Sequence, residues 1–387
     1  MWGRLTRVDR RWAVGGLLGA ALVVAVIVGR FRLLDLDVYR VGASALRHGT
    51  DVYSVVEPGT GYPFTYPVFA ALLFVPFALL PLLAAQILLT LLSVAALFVI
   101  THVTVRWVRP DAPLAWSVGL SAIAVVLHPV WETFTFGQVN LILVALILLD
   151  VLAPDRRWRG VLVGIATGIK LVPGLFILYF LVTGQRRAAL TATLSTLTTA
   201  AIGFAVQPGP AWDFWTRYAL DPSRTGEVAY VTNQSLAGSA ARLLQDASPP
   251  RWLTLGLSAV VVVVALWLAR RLDPVDRLTS VSVVGVASLL ASPISWSHHW
   301  VWAIPCLGTL AFRVRWWVFG LVTAVVAVGP MQFLPKAHLR ELHYTAPQQV
   351  VATVYTVLAV AYLVFAWVRL RHADSPDHRD HGVRRVS

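Results

Sequence analysis

Residues 160–182 read GVLVGIATGIKLVPGLFILYFLV, with one charge, Lys170, and the pair Pro173-Gly174 just beyond it. A transmembrane helix needs about 20 apolar residues, so this run is long enough to cross a bilayer. Lys170, Pro173 and Gly174 break it in the middle, and arginines flank both ends, Arg159 before and Arg186 after. Broken helices at membrane depth are tolerated only where protein or a water-filled cavity satisfies the freed backbone groups. The stretch therefore predicts a hairpin with both ends on one basic side and a cavity beside it. An ammonium at that depth either snorkels to the inner face or meets an anion.

Similar runs occupy residues 13–29, 67–105, 113–130, 139–152, 188–206, 252–269, 278–294, 299–312, 316–333 and 350–368. Pro76 and Pro81 interrupt the second, which counts as one net crossing. The chain thus reads as an all-α polytopic membrane protein of about ten to thirteen spans. Composition agrees: 57% of residues are hydrophobic and 13% charged, with mean hydropathy +0.70, against ~25% charged in soluble domains. A soluble enzyme, a disordered chain and a disulfide scaffold are excluded; Cys306 is the one cysteine and stands in an apolar run. The first run resembles a signal peptide, but Arg30-Phe31-Arg32 follows it in place of a cleavage pattern, so it is taken as a span.

The net charge of +13 has a position. With the N-terminus inside, residues 160–182 as a hairpin with both ends inside and one crossing for each other run, 21 of the 32 basic residues and 8 of the 19 acidic ones fall on the inner segments, which carry the whole excess. That is the positive-inside pattern, with both termini cytoplasmic, and not a nucleic-acid signature. Residues 369–387 read as a disordered cytoplasmic tail after a membrane domain of residues 1–368.

The outer segments, above all the long loops 31–66 and 207–251, hold the candidate chemistry. Asp35 and Asp37 follow the first span beside Arg30, Arg32 and Arg40. They are candidates for a general base, or for a solvated helix start. Tyr62, Phe64 and Tyr66, set among prolines, suit sugar stacking or an interfacial belt. Gln138 and Asn140 are polar groups entering a helix, able to bind hydroxyls or to join helices. Loop 207–251 supplies Arg217, Arg224, Asn233 and Gln234. Between two apolar runs stands Ser295-Trp296-Ser297-His298-His299-Trp300, whose imidazoles can move protons or face a phosphate. Two adjacent histidines without a third ligand make a poor zinc site, and no metal or cofactor is expected.

In order along the chain stand Asp35-Leu36-Asp37-Val38-Tyr39, Phe64-Thr65-Tyr66-Pro67, Phe136-Gly137-Gln138-Val139-Asn140, Gly168-Ile169-Lys170-Leu171-Val172-Pro173, Asn233-Gln234-Ser235 and the His298-His299-Trp300 segment. Together they resemble the actinobacterial polyprenol-phosphate-mannose-dependent α-(1→2)-mannosyltransferases, glycosyltransferase family 87, of the multi-spanning GT-C type. The resemblance covers residues from about Asp35 to about Trp300. It implies a polyprenyl-phosphate mannose donor and a mannosylated glycolipid acceptor, either a phosphatidylinositol mannoside or the mannan of lipomannan and lipoarabinomannan. It implies inversion at an extracytoplasmic site of a plasma-membrane protein. The family's catalytic acid maps onto Asp35, with Asp37 in the variable position. A catalytic histidine maps onto His298 or His299. Lys170, Arg217 and Arg224 are further candidates for the leaving phosphate, and the isoprenoid tail is expected near residues 67–81. A transporter of a lipid-linked sugar, an envelope structural partner and another GT-C enzyme are the competing classes; the first predicts internal repeats, and the halves show no convincing similarity.

Overall fold

The computed structural model describes residues 7–152, 157–219 and 221–373. Among them the helices are α1 (Arg7–Arg30), α2 (Leu34–Arg47), α3 (Val68–Leu79), α4 (Leu82–Val108), α5 (Leu114–Ala124), α6 (His128–Phe136), α7 (Asn140–Leu152), α8 (Val161–Ile169) and α9 (Leu175–Val182). Then come α10 (Arg186–Val206), α11 (Pro208–Asp213), α12 (Leu236–Leu244), α13 (Arg251–Leu272), α14 (Arg277–Ala291), α15 (Ala303–Leu310), α16 (Trp316–Val328), α17 (Ala346–Ala352) and α18 (Val354–Ala373). No strand occurs among the described residues; two isolated bridges, Val56 with Pro63 and Asn233 with Trp296, are the only extended pairings there. The fold is all-α and membrane-spanning, as the composition required.

Among the described residues, five helices are long and apolar enough to cross a membrane: Arg11–Arg30, Leu82–Val108, Arg186–Val206, Arg251–Leu272 and Val354–His372. The pair α5 and α6, bent by 74°, makes a sixth if taken as one span, and five further apolar helices are shorter. Packing against neighbours explains the short ones: α7 and α14 are buried along most of their length and need no lipid-length surface. The last helix runs to Ala373, so the first residues of the expected tail are helical; residues 374–387 lie outside the described residues, as do Arg4 and Arg156 of the inner arginines.

The 67–105 block divides at Leu80-Pro81, where proline removes a backbone donor. Arg40 of α2 donates to the carbonyls of Phe77 and of Leu80, the latter at 2.9 Å. Gln86 at the start of α4 donates to the Arg32 carbonyl at 3.1 Å. The break therefore lies at the level of α2, and α4 alone makes the descent. 

The 160–182 block folds back on itself. Asp150 of α7 caps the start of α8, accepting from the N–H groups of Gly160 at 2.9 Å and Val163 at 2.8 Å. Gly160, Gly164 and Gly168 face α10 so closely that a Cβ would lie 2.2–2.3 Å from Ala188, Ser195 and Thr199 in turn. Both numberings rise together, so α8 and α10 run parallel, and α9 must return between them. Arg159 donates to Gln185 at 3.1 Å, closing the base of the hairpin. Lys170 is at its tip.

The groups at the hairpin base belong to one end of the bundle. Arg277 donates to the same Gln185 at 3.0 Å and pairs with Asp273 at 3.3 Å. Arg313 reaches Asp276 at 3.1 Å, and Arg369 reaches the same carboxylate at 3.8 Å. The opposite end carries α2, α12, both long loops and the two-histidine segment.

Candidate active site

The site begins on α2, an amphipathic helix whose Leu36, Val38, Tyr39, Gly42 and Ala43 are buried. Asp35 and Tyr39 stand one turn apart and share a face. Just before α2, Leu33 adopts the left-handed region (φ 55) and packs on Gly137 (φ 70), where a Cβ would come 2.9 Å from that of Leu33. Glycine thus lets the α6–α7 turn nest against the start of α2. That turn carries Gln138 and Asn140 in. The Tyr39 hydroxyl donates to Gln138 Oε1 at 3.0 Å, the Tyr66 hydroxyl reaches the same oxygen at 3.4 Å, and the two phenols are 3.2 Å apart. Tyr39 also stacks flat on Phe74, with ring centroids 4.2 Å apart. With Oε1 occupied, the Gln138 amide N–H is left for the Asp35 carboxylate. Burial pushes the Asp35 carboxyl up to about 6, against the smaller opposing pulls of the Gln138 hydrogen bond and the Lys170 charge.

Lys170 enters from the hairpin tip. Its Nζ donates to Asn140 Oδ1 at 3.2 Å, lies 3.0 Å from His299 Nε2 and sits 5.7 Å from the Tyr66 ring centroid. An ammonium has only N–H to give, so His299 Nε2 is the bare acceptor and the ring proton is on Nδ1. Asn140 is a bridge: its Nδ2 donates to the His298 carbonyl at 3.1 Å, and Thr133 donates to that carbonyl at 2.9 Å. The two imidazoles meet edge to face, centroids 4.7 Å apart. His298 Nε2 is buried and has no hydrogen-bond partner.

Two networks hold the histidine segment. Asn233 Oδ1 accepts from Ser295 N at 2.9 Å and its Nδ2 donates to the carbonyls of Val228 at 2.9 Å and Pro293 at 3.2 Å. Gln234 donates to the Val231 and Ala352 carbonyls, both at 2.7 Å, and accepts from Tyr355 N at 3.1 Å. Both amides are fully buried, so their polar atoms serve the backbone. On the other side, Ser297 donates to Glu132, which pairs with His128 at 3.3 Å. His128 in turn meets the Tyr355 hydroxyl at 3.3 Å.

The remaining sequence candidates are placed differently. Asp37 pairs with Arg32 at 2.9 Å, and Arg32 also holds Glu57 at 2.6 Å. Phe64 is buried against Gly42, while Tyr62 is exposed. Arg217 is exposed and pairs with Asp213 at 3.3 Å. Arg224 donates to the Tyr53 carbonyl at 2.9 Å and covers the Tyr218 ring at 4.4 Å. Tyr39, Glu132 and His128 went unremarked in the sequence as site candidates. For Tyr39 the signal was present, since it closes the Asp-Leu-x-Val-Tyr motif four residues after Asp35. Among the described residues no group of three or more His, Cys, Asp or Glu side chains is arranged to hold a metal ion.

Comparison with known proteins adds the following. Residues 64–293 match the model for glycosyltransferase family 87. That match takes in Tyr66, Gln138, Asn140, Lys170 and Asn233, and stops short of Asp35 and the two histidines. The polyprenol-phosphate-mannose-dependent alpha-(1-2)-phosphatidylinositol mannoside mannosyltransferase of Mycobacterium tuberculosis is 33% identical over 86% of this chain and 84% of its own. That of Mycolicibacterium smegmatis is 35% identical over 84% of this chain and 82% of its own. A phosphatidylinositol pentamannoside mannosyltransferase of Mycobacterium tuberculosis, with the same stated donor, is 34% identical over 71% of this chain and 65% of its own. No solved structure matches.

Proposed function

The chain belongs to glycosyltransferase family 87, and from that membership we propose that it transfers mannose from polyprenyl-phosphate mannose to a phosphatidylinositol mannoside. The bond formed is α-(1→2), made with inversion on the extracytoplasmic face of the plasma membrane. The names of the relatives support donor, linkage and acceptor class. One observation carries the chemistry: a half-buried carboxylate of raised pKa faces a lysine held by a histidine, beside a second histidine with an open nitrogen.

A β-linked phosphate donor and an α-linked product require one in-line displacement. Asp35 takes the proton of the acceptor 2-hydroxyl as its oxygen attacks the anomeric carbon. Burial makes Asp35 a better base than an ordinary aspartate, and it remains ionised above pH about 6. The bond from the anomeric carbon to the phosphate oxygen breaks, and the charge on that oxygen is met by the Lys170 ammonium and by His298 with its proton on Nε2. His299 orients Lys170. Asn140 keeps the lysine and the His298 carbonyl in register. Tyr66, Gln138 and exposed Tyr62 line the sugar path, whereas Asn233, Gln234, Phe64, Arg217 and Arg224 hold the walls.

The test supplies the purified chain in nanodiscs with radiolabelled polyprenyl-phosphate mannose and a phosphatidylinositol mannoside. NMR of the product reads an α-(1→2) linkage if the proposal holds; a different linkage, or transfer from a nucleotide sugar alone, contradicts it. In the same assay His298→Ala lowers kcat by about 10²-fold or more. His299→Gln, which keeps an acceptor near the lysine, retains most of it. The reverse order overturns the assignment of the two histidines.

A further inference from the structure

Glu132 is a mostly buried carboxylate with no part in the displacement described above. It stands on the second turn of α6, and that helix meets the two-histidine segment at three points. Glu132 Oε2 accepts from the Ser297 hydroxyl, Thr133 donates to the His298 carbonyl at 2.9 Å, and the Phe136 ring meets the His298 ring edge to face, centroids 5.4 Å apart. Glu132 is itself braced, because its Oε1 faces His128 Nε2 at 3.3 Å. Tyr355 gives its hydroxyl proton to the Val326 carbonyl at 3.1 Å. Toward His128 Nδ1, at 3.3 Å, the phenol oxygen is therefore the acceptor, and Nδ1 carries the ring proton. A run of contacts from α16 and α18 through His128 thus fixes where the carboxylate points.

These anchors matter because His298 Nε2 has no partner in the protein, so no hydrogen bond at that nitrogen turns the ring. Its direction comes from packing between the rings of Phe136 and His299 and from the backbone on either side. Thr133 and Asn140 hold the carbonyl after the ring, and Glu132 holds the residue before it. We propose that Glu132 is a positioning residue for the transfer: through the Ser297 hydroxyl it fixes the backbone just before His298 and so aims Nε2 at the leaving phosphate. The assignment rests on the function proposed above. The hydrogen bond does this, and the charge is not required. A glutamine at 132 still accepts from Ser297 through its carbonyl oxygen and gives an N–H to His128 Nε2, whereas an alanine does neither.

The full chain in nanodiscs is assayed with decaprenyl-phosphate mannose and a phosphatidylinositol mannoside. Glu132→Ala and Ser297→Ala are each expected to lower kcat about tenfold, with KM for the donor within about twofold, and together to cost no more than either alone. Glu132→Gln is expected to recover most of that loss. A smaller folded fraction would also lower kcat, so the deciding measurement is made in a His298→Ala background. There Glu132→Ala is expected to cost less than about twofold, because the ring it aims is gone. Should Glu132→Ala not be recovered folded, Ser297→Ala in the same background reads the same coupling. A structural defect alone would still cost about tenfold there, and that result overturns the proposal. So does an unchanged kcat in both alanine variants, and so does a glutamine as damaging as alanine, which would assign the effect to charge. If the unsubstituted protein transfers no mannose from this donor, the function fails and this assignment with it. That outcome is distinct from additive losses in an active enzyme, which remove the role of Glu132 alone.

Discussion

Asp35 carries its charge where the protein opposes it. Its carboxyl is raised by burial to about 6, so between the ordinary aspartate value and about 6 the folded state binds a proton that the unfolded chain releases. Stability contributed by this group therefore rises as pH falls through about 6, the reverse of a salt-bridged aspartate. Asp35→Asn removes the opposed charge, and its Tm at neutral pH is expected to equal or exceed that of the unsubstituted protein. Differential scanning fluorimetry checks this; a clear fall in Tm would mean that the carboxylate is a structural strut. Activity runs the other way: kcat/KM is expected to fall about tenfold per unit below pH about 6, because the base must be ionised. A flat profile down to pH about 4 would remove Asp35 from the base role. At this scale the sequence was legible for Asp35, Lys170 and the histidines, each a charged or titratable group in an apolar setting. It was not legible for Asn233 and Gln234, since an amide that binds a sugar and an amide that ties backbone carbonyls look alike in one dimension.

The hairpin of α8 and α9 is the element that brings a cation to the carboxylate. Its existence could be read from Lys170, Pro173 and Gly174 within one apolar run. The direction of the lysine could not, because its partners Asn140 and His299 lie 30 and 129 residues away along the chain. The glycine stripe facing α10 sets how high the tip stands. Gly168→Val places a branched side chain against Thr199 and separates the two helices, at a cost of about 1–3 kcal/mol. It is expected to lower Tm by a few degrees and kcat by more than tenfold, since Lys170 is two residues on. Unchanged kcat with the lowered Tm would show that Lys170 does not depend on this packing. The neighbouring α3 repeats the lesson: prolines announced a break, while only the contacts of Arg40 show that α3 lies against α2 and leaves the descent to α4.

Over the whole molecule, basic residues that the charge pattern assigned to one side meet at one end: Arg159, Arg277, Arg313 and Arg369 around Gln185 and Asp276. Asp35, Lys170 and the histidines lie at the other. Span number was hard to read from the sequence, because α7 and α14 trade lipid-facing length for burial inside the bundle. The sidedness is testable in a Cys306→Ala background. A cysteine at the exposed Val56 is expected to react with an impermeant maleimide on intact cells, and one at Trp316 only after permeabilisation. The opposite pattern would move the site to the cytoplasm. The most direct measurement of the central claim is mannosyl transfer by Asp35→Asn against the unsubstituted protein at neutral pH, with polyprenyl-phosphate mannose as donor and a phosphatidylinositol mannoside as acceptor. The carboxylate between Tyr39, Gln138 and Lys170 predicts a loss of kcat of about 10²- to 10⁴-fold with the donor still bound. Transfer at the unsubstituted rate would contradict it.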